Sequence, residues 1–373
     1  MPGVWHTLRY SIDRWCKGAG VVYKSLVDDP AVRSFSPSTL REAMGRRLYR
    51  RSVAMGQITV PAVPGLLDEY VRMCDNLFAS VGVQYSTEEF AQLKTALKAQ
   101  LEAAFRTSSR SNIVISFHAP FGTALNYRVH TEVATIANAY DGWVSDREGS
   151  LFGAEPDARV SALAAEATDP STYPVLDIGA GTGRNALALA RRGHPVDAVE
   201  IAPKLAHTIR SEAEREALVV RVIERDVFAS VDDVRTDYQL IVASELVPDF
   251  RTTQQLRAMF ELAAHSLAPG GRLLFNTFLP REGYTPDDAA RELGQQCNTM
   301  VFTWDEITSA TDLLPLQLVA DDSAYDYEKT HLPEGAWPPT AWYADWARGL
   351  DVFDVAPEES PVELHWLVYQ KAL

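Results

Sequence analysis

Residues 175–190 read VLDIGAGTGRNALALA, a strand-length apolar run that turns through three alternating glycines into a tract of helix formers. Glycine tolerates the positive φ angles of a tight turn, so the spacing predicts a strand, a sharp loop and a helix N-terminus in immediate succession. A corner of this kind belongs to open α/β sheets, which hold ligands in the crevice beyond their strand ends. The run Gly179-x-Gly181-x-Gly183 is one residue short of a dinucleotide fingerprint, and no Lys-Ser or Lys-Thr follows it as in a phosphate-binding loop. Asp177 falls at the strand end just before the glycines. A carboxylate there repels a pyrophosphate and attracts an ammonium group, so the loop suits a ligand with a cationic amino-acid end.

From this loop onward, β-rich runs at 175–178, 195–201, 219–224, 239–244 and 271–279 alternate with helical tracts at 184–192, 203–217 and 253–267. Alternation of strand and helix predicts a parallel sheet with helices on both faces. Glu200 closes the second run, where a carboxylate accepts both hydroxyls of a ribose. Asp226 closes the third, placed to accept from an adenine amine, with Val227 and Phe228 as apolar surface beside it. A last strand pair is expected in LQLVADDSAYDYEK and PVELHWLVYQKA, separated by the aromatic WPPTAWYADWARG.

Upstream, three helices are expected in succession: PSTLREAMGRRLYRRSVAM capped by Ser36, GLLDEYVRMCDNLFASVG, and STEEFAQLKTALKAQLEAAF capped by Ser86. SNIVISFHAPFG reads as a strand closing at a turn that holds His118, and HTEVATIANAYDGW as a further helix. These readings place a mainly helical N-terminal domain or lid at 1–125 and a ligand-binding domain at 126–373.

Asp177, the glycines, Glu200 and Asp226 together resemble the pattern of class I S-adenosylmethionine (SAM)-dependent methyltransferases, over roughly residues 130–373. DIGAGTGRNALALARRGHPVDAVE is most similar to the tellurite-resistance-type, small-molecule branch, where Arg-Asn follows the last glycine, and LAPGGRLLF resembles the family's late motif. The resemblance implies an α/β fold with a Rossmann-like sheet of seven strands, the last antiparallel, and SAM across the first four strand ends. It assigns SAM binding to Tyr140, Asp177, Gly179, Gly181, Gly183, Asn185, Glu200, Ile201, Asp226, Val227 and Ser244. AYDGW resembles the tyrosine segment that many class I enzymes lay over SAM's methionine end, which nominates Tyr140, with Trp143 packing nearby. Glu245, beside Ser244 at the end of the fourth strand, and Tyr127 join Tyr140 as catalytic candidates; on helical spacing Asn126, Tyr127 and His130 share one face. YQLIVASELVPDF lacks the Asn/Asp-Pro-Pro-Tyr run of nucleic-acid amino methyltransferases.

Composition narrows the partners. A net charge of −15 over 373 residues repels polyanions, so a small-molecule substrate is expected and nucleic acid is not. Residues 1–60 run against this trend with ten Lys/Arg against four Asp/Glu, read as a solvated basic face. Three widely spaced cysteines and the absence of HxxxH or CxxC spacing offer neither a disulfide framework nor a metal site. No apolar run is long enough to span a membrane, and the N-terminus lacks signal-peptide order, so a cytoplasmic location is expected. Oligomeric state stays open.

Three functions compete at this stage: methyl transfer to a small molecule, cyclisation of SAM itself to azetidine-2-carboxylate with release of methylthioadenosine, and non-catalytic SAM binding by a regulator. The second resembles azetidine-2-carboxylate synthases, which share the fold.

Overall fold

The computed structural model describes residues 36–49, 51, 53–83, 85–119, 125–134 and 152–373, and the chain divides into two compact units, Met1–Val133 and Ala134–Leu373. In the first unit, helix α1 (Pro37–Tyr49) is followed by strand β1 (Ala54–Pro61), helices α2 (Leu67–Ser80) and α3 (Thr87–Thr107), and strands β2 (Asn112–Ala119) and β3 (Asn126–Glu132). The three strands form an antiparallel sheet in the order β1-β2-β3. Ser86 and Glu89 close a reciprocal capping box at the start of α3, as the sequence predicts. The Leu93, Leu97, Leu101 stripe of α3 then packs with Phe78, Ile113 and Ile115 to make this unit's core.

Three expectations change here. The first helix stops at Tyr49, and the β-branched-rich stretch after it is strand β1, so the first two helices do not follow each other directly. Asn126, Tyr127 and His130 lie on a strand instead of a helix, in register with His118, Phe117 and Val114 of β2, because alternation governs NYRVHTE. His118 accordingly sits within β2 and not in a turn.

The second unit carries α4 (Ala158–Ala164), β4 (Val175–Ile178), α5 (Arg184–Arg191), β5 (Val196–Glu200), α6 (Pro203–Glu216), β6 (Val220–Glu224), β7 (Tyr238–Ala243), α7 (Thr253–Ser266) and β8 (Leu267–Pro280). It continues through α8 (Asp288–Gln296), α9 (Trp304–Thr311), β9 (Leu316–Ser323), α10 (Ala324–His331), α11 (Tyr343–Trp346) and β10 (Val362–Lys371). The sheet order is β6-β5-β4-β7-β8-β10-β9. Strands β4 to β8 pair in parallel, while β10 is antiparallel to both neighbours. This is the seven-stranded, mostly parallel sheet that the sequence leads one to expect.

One apolar core lies on each face. Residues of α4, α5, α6 and α11 cover one side, and α7 and α9 cover the other. The chain winds outward from β4 through β5 to β6 and then returns to β7 on the other side of β4, so a crevice opens between the carboxyl ends of β4 and β7. Among the described residues, no helix is long and apolar enough to cross a membrane.

Leu97 is fully buried in the first unit's core. Leu97→Ala is expected to cost about 2–5 kcal/mol of stability there. Denaturant unfolding should show an early transition from this unit, ahead of that of the second unit.

Candidate active site

The cleft is built on the β4–α5 corner. Gly179, Gly181 and Gly183 all have positive φ (72°, 58° and 84°), which lets the backbone double back between strand and helix. A Cβ added at Gly179 would stand 3.0 Å from Leu246, and one at Gly181 would stand 3.3 Å from the Phe152 ring, so the loop is closely packed as well as left-handed. Phe152 lines the cleft beside the glycines.

Asp177 is 2% exposed, and one of its carboxylate oxygens has no hydrogen-bond partner. Burial, reinforced by the Asp157 charge and opposed by Arg184, pushes its pKa up to about 7. An uncompensated buried carboxylate is costly, and a cation placed against its free oxygen relieves that cost. Glu200, at the end of β5, accepts from the backbone N–H of Gly181 and of Ala202, both at 2.8 Å. Those bonds fix the carboxylate at the cleft wall. Asp226 accepts from Phe228 N at 2.9 Å and starts a short 3-10 turn, which brings Val227 and Phe228 into the wall beside Ile201. Phe228 and Phe250 meet at a centroid distance of 5.4 Å, and Ile201 is 42% exposed on the cleft side. The result is an apolar slot edged by two carboxylates, suited to a nucleoside.

At the end of β7, Ser244 and Glu245 face the same cleft. Glu245 holds a positive φ of 56°, unusual for a residue with a side chain, and its N–H donates to Asn276 Oδ1 at 2.7 Å. Its carboxylate accepts from Arg184 Nη2 at 2.9 Å. Arg184 also forks onto Asp157, at 2.5 and 3.2 Å. Asp157 further accepts from Asn185 Nδ2 at 2.8 Å and from Ser244 Oγ at 2.7 Å, while its own N–H donates to Asn185 Oδ1. Burial raises the Glu245 pKa against the opposing pull of Arg184, and the acidic neighbours Asp157 and Asp249 add to the rise.

Behind this cluster stands Glu328 of α10, fully buried. It accepts from the N–H groups of Ala158 and Arg159 at the start of α4 and from Trp366 Nε1 at 3.0 Å. Burial raises its pKa too.

The structure thus brings together Asp177, Gly179, Gly181, Asn185, Glu200, Ile201, Asp226, Val227, Ser244 and Glu245 around one cleft, while Gly183 packs behind the loop against Leu187 and Ile209. Asn185 and Ser244 differ from the rest because their side chains are committed to Asp157. Tyr127 packs in the first unit's core, with its ring 6.2 Å from Tyr85 and 6.4 Å from Phe78. Tyr140 and Trp143 lie outside the described residues. The sequence reading passed over Asp157, Phe152, Asn276 and Glu328. Only Asp157 carried a local signal, an acidic residue just ahead of a helical tract.

Residues 175–271 match the family model described as a methyltransferase domain. No curated protein matches the chain. Among solved structures, geranyl diphosphate C-methyltransferase from Streptomyces coelicolor A3(2) is 14% identical, with 64% of this chain and 100% of that chain covered and a TM-score of 0.44. The O-methyltransferase of a trans-AT PKS multienzyme of Brevibacillus brevis is 16% identical, covering 58% of this chain and 72% of that chain, with a TM-score of 0.42. The [4+2]-cyclase SpnF is 12% identical, covering 63% of this chain and 92% of that chain, with a TM-score of 0.43.

The charge state of Asp177 yields a prediction with two arms. A ligand ammonium needs the carboxylate, so affinity for S-adenosylhomocysteine should fall as pH drops through about 7, by up to about tenfold per unit below it. A carboxyl whose folded pKa is raised stabilises fully below its unfolded value, and that contribution is lost as pH rises through the folded value. Asp177→Asn should therefore melt higher than the wild type at pH 8, by roughly 2–4 °C, while losing ligand binding. Thermal melts and calorimetric titration at pH 6 and pH 8 check both arms. The segment that matches the methyltransferase-domain model contains the glycine loop, Glu200, Asp226, Ser244 and Glu245, so the likeness falls on the part of the seven-stranded sheet that builds the cleft.

Proposed function

We propose that this chain is a SAM-dependent methyltransferase acting on a small molecule. The observation that carries this reading is the buried, half-satisfied carboxylate of Asp177 at the head of a left-handed glycine loop. It seats a cationic amino-acid end where a phosphate would be repelled.

Asp177 takes the ammonium group, Glu200 the ribose hydroxyls and Asp226 the adenine amine. Ile201, Val227 and Phe228 would supply the apolar wall for the ring. Bound SAM supplies a methyl group already activated by a positively charged sulfur. The protein's task is then to orient the acceptor, exclude water and receive a proton. Glu245 is placed for the last of these, because it lies at the end of β7 beside the methionine end of the cleft, and its burial raises its pKa towards neutrality. The Phe152 ring packs against Gly181 of the loop.

Mass spectrometry of the products tests the reading. Methyl transfer predicts S-adenosylhomocysteine only when an acceptor is present. Methylthioadenosine formed from SAM alone would replace it with intramolecular cyclisation, and SAM that binds but stays intact with every acceptor would replace it with a regulatory role. Glu200→Ala should weaken S-adenosylhomocysteine binding by about 10- to 100-fold through lost charge-assisted hydrogen bonds. Asp226→Ala is expected to act in the same direction but less strongly, since the Asp226 side chain is exposed.

A further inference from the structure

One wall of the cleft is the segment from Phe152 to Asp157. Phe152 lines the cleft, and its ring lies so close to Gly181 that a Cβ added there would stand 3.3 Å from it. Asp157, at the other end of the segment, is buried and grips three side chains that line the cleft, those of Arg184, Asn185 and Ser244. Whatever fixes these two residues shapes the cover of the glycine loop at one end and the start of α5 at the other.

Both ends are held by residues far along the chain. Gly153 has a φ of 94° and lies against Pro339, where an added Cβ would meet the Pro339 Cβ and carbonyl oxygen, each at 3.1 Å. A side chain at 153 is excluded twice, by conformation and by space. The N–H groups of Ala158 and Arg159, directly after Asp157, donate to the two carboxylate oxygens of Glu328 at 2.7 and 3.2 Å. Pro339 and Glu328 in turn belong to one packed body. Trp337, two residues before Pro339, sets its ring edge-on to Tyr325 of α10 at 5.1 Å and to Tyr343 of α11 at 5.8 Å. An apolar side chain would fill the Glu328 site without the desolvation cost of a buried carboxylate, so packing alone does not account for the acid there. The two backbone donors it holds in place do.

We infer that Glu328 and Pro339 are positioning residues of the cleft, which hold the Phe152–Asp157 wall against the glycine loop and so set the affinity for co-substrate, an inference that rests on the methyltransferase reading for the identity of that ligand. Both act at one remove: Glu328 through Asp157, and Pro339 through Phe152. The aromatic stretch between the last two strands is then a brace for the cleft, carried by α10 and α11 from the far side of the chain.

Calorimetric titration of the full chain with S-adenosylhomocysteine, paired with thermal melts, tests this. Glu328→Gln keeps the shape of the side chain but replaces one acceptor oxygen with an amide that cannot accept. It should weaken binding by about tenfold, the loss of one charge-assisted hydrogen bond to the wall. Gly153→Ala pushes on Pro339 from the other end and should also weaken binding by about tenfold. Trp366→Phe is the control: it removes the third donor to Glu328, at 3.0 Å, and leaves the bonds to Ala158 and Arg159 in place. It should lower the melting temperature with the affinity unchanged. Double-mutant cycles separate position from stability, since Glu328→Gln should have no further effect on affinity in an Asp157→Asn background, nor Gly153→Ala in a Phe152→Ala background. Should Glu328→Gln fail to fold, Gly153→Ala decides by itself. An unchanged affinity in the folded variants, an equal loss in Trp366→Phe, or additive losses in the cycles reduces these residues to fold stability and overturns the inference, while leaving the methyltransferase reading standing. Wild-type protein that binds no S-adenosylhomocysteine overturns that reading and the inference with it.

Discussion

The second unit depends on one buried guanidinium. Arg184, the first residue of α5, is held on one side by Asp157 and on the other by Glu245, and its side chain is only 7% exposed. Through those two carboxylates it ties together the glycine loop, the entry to α4 and the end of β7. Asp157 extends the tie to Asn185 and Ser244, and Asn276 adds β8 by holding the Glu245 backbone. Removing one partner of such a buried pair typically costs about 3–5 kcal/mol, because the other charge is left unpaired. Here the loss would also let the loop and the β7 end drift apart, and these two elements frame the cleft.

The same cluster carries more negative than positive charge. Asp177, Glu245 and Glu328 all have raised pKa values, and in each case burial is the leading cause. That excess weakens the free protein at alkaline pH and is relieved when a ligand brings cations into the cleft. Stability and binding are therefore opposed at Asp177: the proton that steadies the empty fold is the one a ligand ammonium must displace.

How far the sequence could be read depended on distance along the chain. Asp177, the glycines, Glu200 and Asp226 each stand at the end of an apolar run, so strand periodicity and one turn motif were enough to locate them. Asp157 reaches Arg184 across 27 residues, and Glu328 reaches the start of α4 across 170, through contacts that exist only once β10 and α10 are in place. No local pattern encodes such pairings. Asn185 shows the limit from the other side. Its place after the last glycine was legible, but its engagement by Asp157 was not. The first unit misled for a simpler reason. NYRVHTE satisfies a helical and a strand period almost equally over so short a stretch, and pairing with β2 decides between them.

Two carboxylates on one guanidinium would let Glu245, in the role of base proposed above, titrate without dismantling its own support. A lone Glu245–Arg184 pair would lose its attraction each time Glu245 took a proton, freeing both side chains at the moment geometry matters most. With Asp157 gripping Arg184 by two further hydrogen bonds, the guanidinium stays fixed whatever the state of Glu245. The Glu245 backbone is held separately, by Asn276 and by a left-handed conformation that a strand end alone would not favour. Position is thus assigned to Asp157 and Asn276, which leaves Glu245 free to change charge.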